Sequence, residues 1–253
     1  HMRERTILMA AAGEDFSEYR TWLEAAGIDT SCVLQVSGKF TASFFCSTDE
    51  TNNQIASFYN GAMAHAGELS FRQVPDCGLA TISPNDPGAM IQSAHECRAL
   101  KIRYIFDPGQ QCARMSGDEL KEGIVGATIV VCNDYEFELI RQKTGLAEAD
   151  ILRASEALIV TRGEKGSSVF TPAGKTDVRP VVPRRIVDPT GVGDAFRGGF
   201  MKGLALNFPY ETSAQLGSVA ATYALEHLGG QSHAYTWQEF LTRYEDHFAS
   251  LAV

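Results

Sequence analysis

From residue 78 onward, short apolar runs alternate with segments of helical periodicity. The runs 78–82 (GLATI), 102–106 (IRYIF), 128–132 (TIVVC), 157–161 (ALIVT) and 167–171 (SSVFT) read as strands. Helices are predicted near 86–99, 117–125, 134–144, 148–155, 193–206, 211–228 and 236–250. This alternation commits the chain to an α/β fold. Parallel strands need crossover helices, and those helices cover both faces of a mostly parallel sheet. Ligands of such sheets bind beyond the carboxyl ends of the strands. Asp107, Asn133 and Thr161 each follow a predicted strand directly, so they are expected along one rim.

The first third is patterned differently. Residues 6–11 (TILMAA) read as one strand, and 14–26 as a helix with Tyr19, Leu23 and Ala26 on one face. Segments 39–46 and 54–59 look like strands separated by the turn-rich TDETNN at 48–53, which predicts a hairpin. At 253 residues, one domain over 1–253 is expected, with residues about 36–62 contributing the strands of a small β lid.

The run Asp188-Pro189-Thr190-Gly191-Val192-Gly193-Asp194-Ala195-Phe196-Arg197-Gly198-Gly199 carries the chemistry. Glycines before a helix let backbone amides converge on an anion, and the helix dipole adds to the attraction. A carboxylate beside such a cradle repels phosphate. It makes sense where it takes a proton from a hydroxyl while the cradle holds the charge on a transferring phosphoryl group. Taken alone, the Gly191-Val192-Gly193 stretch reads equally as a tight turn. Two other phosphate motifs fail. Lys175-Thr176 after Gly174 lacks the first P-loop glycine, because Val169 stands there, and the third glycine of a dinucleotide fingerprint is replaced by Phe196.

Of three further stretches, the first two admit two readings each. Asn133-Asp134-Tyr135-Glu136 is a helix N-cap with an acidic first turn, or an oxygen-ligand set for a hard cation. Thr161-Arg162-Gly163-Glu164-Lys165-Gly166 is a hairpin turn, or a phosphate-binding loop. The stretch 218–231, from Ser218 to Gln231, is a small-residue helix capped by Gly229-Gly230.

Taken together and in this order, these motifs resemble the PfkB (ribokinase-like) carbohydrate and nucleoside kinases. The resemblance implies a three-layer α/β/α fold with an incomplete β lid. It implies Asp194 as the catalytic base, with the amides of Gly191, Val192 and Gly193 as the anion hole. It assigns Asn133 and Glu136 to Mg²⁺. Thr161, Arg162, Gly163, Glu164, Lys165 and Gly166, with Gly193 and Ser218, are assigned to ATP. The stretch 53–63 and the form GDAFRGG lean toward adenosine or nucleoside kinases, which points to Asn53, Gln54, Arg197 and Asp194 as substrate contacts. Backbone oxygens near the end of the 218–231 segment are assigned to a monovalent cation, K⁺, and lid pairing to a homodimer. The family's opening strand with its substrate Asp and its Gly-Gly motif have no counterpart in these residues, so weakened sugar contacts are expected. A sugar kinase and a non-catalytic nucleotide-binding fragment remain as alternatives.

Bulk properties exclude other classes. A net charge of −9 with no basic stripe argues against a nucleic-acid partner. No apolar run is long enough to span a bilayer, so no membrane partner is expected. The six cysteines form no Cys-x-x-Cys pair, and several lie in apolar runs, which reads as reduced thiols in a cytoplasmic protein. The histidines show no metal-ligand spacing.

Overall fold

The computed structural model describes residues 5–48, 54–74 and 76–251. They fall into two units, 5–127 and 128–251, each treated separately.

In the first unit the predicted strand at 6–11 is broken in two. β1 (Thr6–Ile7) and β2 (Ala10–Ala12) precede α1 (Ser17–Ala25), which is followed by β3 (Ile28–Asp29) and β4 (Val33–Gln35). β1 pairs in parallel with β3, and β2 with β4. The break follows the packing. Leu8 joins the cluster of Ala12, Phe16 and Leu23, whereas Met9 joins that of Ala66, Leu69 and Ala89. The predicted hairpin is present, with its first strand starting at Ser43 rather than 39 and running on through Thr48: β5 (Ser43–Thr48) and β6 (Gln54–Tyr59) are antiparallel, with Ser43 opposite Tyr59. β7 (Leu79–Ile82) leads into α2 (Pro87–Leu100), which Asp86 caps from Ala89 N–H at 3.2 Å, with Pro87 at the first helical position. β8 (Arg103–Phe106) lies parallel to β7, and α3 (Gly117–Ile124) follows behind a Ser116–Glu119 capping box.

In the second unit β9 (Ile129–Asn133), α4 (Asp134–Thr144), α5 (Glu148–Ala154) and β10 (Ala157–Thr161) form a crossover with parallel strands. Every residue from Ile129 to Cys132 and from Ala157 to Val160 is buried, as strands covered on both faces must be. The chain then turns antiparallel through β11 (Ser167–Thr171) and β12 (Gly174–Val178), because the links are too short for a crossover. β12, GKTDV, is polar and largely exposed, and no apolar alternation announces it. α6 (Val192–Ala205) and α7 (Tyr210–Leu225) pack through small residues. A Cβ on Gly199 would lie 2.5 Å from the Leu216 carbonyl, and one on Gly203 2.5 Å from Ser213 Oγ. α8 (Trp237–Glu245) completes a cluster of Val181, Leu216, Val219, Ala220, Phe240 and Tyr244.

α7 stops at Leu225, three residues short of its predicted end. There the Leu225 carbonyl accepts Val187 N–H at 2.9 Å instead of continuing the helical ladder. Cys32, Cys77, Cys97, Cys112 and Cys132 are free thiols, and burial pushes Cys97 up to about 12. Among the described residues no helix is long and apolar enough to cross a membrane.

Candidate active site

The glycine turn is built before α6 begins. Asp188 holds it at both ends: its Oδ1 accepts Thr190 N–H and its Oδ2 accepts Gly229 N–H, each at 2.8 Å. These bonds, Thr190 first, hold the Asp188 carboxyl below the usual carboxylate range. Gly191 caps the helix at φ +75°. It sits so close to the opposite turn that a Cβ would be 2.7 Å from Gly230 Cα. Only glycine combines that backbone angle with that approach.

No side chain caps α6. Ala195 N–H returns to the Gly191 carbonyl at 2.9 Å, and Val192 N–H closes on the Pro189 carbonyl at 3.3 Å. The first-turn amides left for an outside acceptor are those of Gly193 and Asp194. An uncapped helix start of this length attracts anions.

Asp194 stands in that first turn. Its side chain is 76% exposed and ion-pairs with Arg197, which is itself only 20% exposed. Thr190, Gly191 and Asp194 face the 229–232 turn across an open cleft of about 520 Å³. An exposed carboxylate, paired with a guanidinium, and the glycine turn at the start of α6 thus border one depression.

The rim motifs are also in place. Thr161 and Asn133 are paired in register at the ends of β10 and β9. Asn133 Oδ1 accepts Glu136 N–H at 2.7 Å, and Glu136 Oε2 accepts Asn133 N–H at 2.8 Å. The capping reading is therefore realised, and it fixes the Glu136 carboxylate at the helix start. In the 161–166 loop, Arg162 N–H donates to the Gly166 carbonyl at 2.8 Å. Glu164 and Lys165 lie in the one-turn helix Gly163–Lys165. Gly166, at φ +79°, could carry no side chain, because a Cβ would lie 2.1 Å from the Val178 carbonyl. Arg162 is tied to Asp177 at 2.8 Å.

Three predicted residues stand apart. Ser218 is buried in α7 with its hydroxyl bonded to the Ala214 carbonyl at 3.1 Å, so it serves the helix rather than the cleft. Asn53 and the side chain of Gln54 lie outside the described residues. Sequence reasoning missed that Asp188 ties the glycine turn to the 229–232 turn across the cleft. The Gly229-Gly230 pair was the available signal.

A profile of the pfkB family carbohydrate kinases matches residues 2–237, and the chain belongs to that family. It is a PfkB-family kinase with the ribokinase-like α/β fold. A nucleoside kinase from Methanocaldococcus jannaschii is 30% identical over 242 residues, covering 95% of this chain and 80% of the relative. A cytidine kinase from Thermococcus kodakarensis is 29% identical, over 89% of this chain and 83% of its own length. The structure of a Burkholderia thailandensis nucleoside kinase in complex with inosine superposes with a TM-score of 0.94 at 33% identity, covering 98% of this chain and 82% of that one. The same kinase in complex with ADP-inosine gives a TM-score of 0.93 at 32% identity, covering 100% and 81%.

Proposed function

We propose that this chain transfers the γ-phosphoryl group of ATP to the 5′-hydroxyl of a nucleoside such as adenosine or inosine. The observation that carries this reading is the exposed Asp194 carboxylate beside the open amides of α6. Inosine bound to a relative of TM-score 0.94 supports the acceptor class.

In this scheme Asp194 takes the proton from the acceptor hydroxyl as the oxygen attacks phosphorus. The amides of Gly193 and Asp194, with the Gly191 turn and Val192 behind them, stabilise the charge spread over the transferring group. Arg197 orients the Asp194 carboxylate and places a positive charge at the reacting end. Asn53 and Gln54 contact the nucleoside. The 161–166 loop holds ATP through Thr161 and its backbone, with Arg162 braced by Asp177.

Mg²⁺ fits the Asn133–Glu136 pair. One Glu136 oxygen is committed to the cap, and Mg²⁺ asks for only one or two carboxylates besides water and phosphate oxygens. When bound, it neutralises phosphate charge. Among the described residues no cluster of three or more His, Cys, Asp or Glu side chains stands ready for a metal, so Glu136 works with the nucleotide rather than in a protein cage. Backbone oxygens of the 229–232 turn serve K⁺. One face of the β5–β6 hairpin exposes Phe45 and Ile55 at 62 and 80% and the other exposes Phe44 at 66%, apolar surface suited to pairing with a second copy.

Asp194→Asn tests the scheme. Turnover should fall roughly 10²–10⁴-fold while ATP binding persists. Turnover near wild type would remove Asp194 from the chemistry.

A further inference from the structure

A buried ion pair joins the end of α7 to α8, and the scheme above does not use it. Glu226 and Arg243 are 6% and 5% exposed. They meet fork to fork, Arg243 Nη1 to Oε2 at 2.9 Å and Nη2 to Oε1 at 2.6 Å. Arg243 also lies over the Tyr223 ring, 4.7 Å from its centroid. A buried pair of this kind is weak evidence for stability, since apolar residues of similar volume often serve as well. Its retention asks for another reason.

Glu226 has a third bond. Its Oε1 accepts Arg184 N–H at 2.5 Å, and its backbone carbonyl accepts Arg185 Nε at 3.2 Å. Arg184 and Arg185 begin the segment that leads to the glycine turn. Beyond the buried Val181, the stretch has little apolar burial to hold it, with Val182 70% and Ile186 74% exposed. What holds it is a row of hydrogen bonds to the end of α7. Thr222 Oγ1 donates to the Val181 carbonyl at 3.3 Å, and Val187 and Asp188 amides donate to the Leu225 carbonyl at 2.9 and 3.3 Å. Asp188 then takes Gly229 N–H, and Gly191 rests on Gly230. Glu226 is the buried charged member of this row, and Arg243 of α8 is the group that keeps its charge tolerable in the interior.

We infer that Glu226, clamped by Arg243, is a positioning residue for phosphoryl transfer: it sets where the 191–194 segment stands against the 229–232 turn. The inference deepens the kinase reading above and rests on it for its kinetic consequence. The amides of the cradle act on charge that develops in the transition state, so their misplacement lowers kcat more than it weakens nucleotide binding.

Two variants of the full chain separate positioning from mere stability. Glu226→Leu with Arg243→Met removes both charges, leaves none unpaired, and deletes the acceptor for Arg184 N–H. Its Tm should stay near wild type and its KM for ATP should change little. Its kcat should fall on the order of 10²-fold, the cost of about 1 Å of misplacement. Amide exchange at Val187, Asp188 and Gly229 should accelerate, while exchange at Val219 and Ala220 stays unchanged. Glu226→Gln keeps the acceptor and loses the charge. It should lower Tm, yet leave exchange at those three amides and kcat close to wild type. A double variant with normal kcat and normal exchange overturns the inference, as does a Gln variant whose kcat falls as far as that of the double variant. If the wild-type chain phosphorylates no acceptor, the kinase reading fails, and exchange at the three amides still decides the positioning role.

Discussion

Replacing Gly191 with alanine puts the geometry of the cradle to a quantitative test. The residue sits at φ +75°, where an L side chain costs about 1–2 kcal/mol. The new methyl would stand 2.7 Å from Gly230 Cα and 3.1 Å from the Gly230 carbonyl oxygen. Ordinary carbon contacts lie at about 3.5–4.0 Å, so the two turns must separate by about 1 Å. Both turns are backbone here, and no flexible side chain can yield instead. The conformational cost lowers Tm by roughly 2–8 °C for a chain of this size. The separation lowers kcat by on the order of 10²-fold. Differential scanning fluorimetry and initial-rate kinetics read the two effects independently. Gly193→Ala is the control, because its Cβ would meet nothing nearer than Arg197 Nη1 at 3.6 Å. Its Tm should not fall, since alanine is the better helix former. A Gly191→Ala protein with wild-type Tm and wild-type kcat would refute the close-approach argument.

Other predictions follow from packing and charge. Gly199→Ala brings a methyl 2.5 Å from the Leu216 carbonyl and 2.9 Å from Ala220 Cβ, so α6 and α7 must part. Chemical denaturation should show a loss of about 1–3 kcal/mol, the usual cost of overpacking. Asn133→Ala deletes the acceptor for Glu136 N–H and should cost about 0.5–2 kcal/mol by the same measurement. Burial raises the Glu226 carboxyl, but bonds from Arg243 and from Arg184 N–H outweigh it and leave it below the ordinary glutamate range. A depressed carboxyl stabilises the fold above its unfolded value, and that share is lost as pH falls through the folded value. Tm should therefore drop on acidification below the ordinary glutamate range, and less steeply in the Glu226→Leu, Arg243→Met protein.

How much was legible depended on the kind of signal. β10 and α4 end where their patterns end, because apolar runs and caps such as Asn133 are local. The order Asn133, Thr161, Asp194 carried the family and the fold, which the pfkB match over residues 2–237 bears out. β12 was invisible because an exposed antiparallel edge needs no apolar alternation. The break between Ile7 and Ala10 was invisible because it arises from two separate clusters that claim Leu8 and Met9. The role of Ser218 was not legible because small residues in a helix look alike whether they face a ligand or a neighbouring turn of the same helix, to which its hydroxyl bonds. The Glu226–Arg243 pair joins residues 17 apart in sequence and leaves no periodic trace.

The most direct measurement is ADP formation by this chain from Mg-ATP, with inosine, adenosine, cytidine, ribose and fructose compared at equal concentration. The account predicts nucleoside-dependent ADP formation that outpaces either free sugar and yields the 5′-monophosphate. Turnover with ribose or fructose that exceeds every nucleoside, or none with any acceptor despite ATP binding, would contradict it.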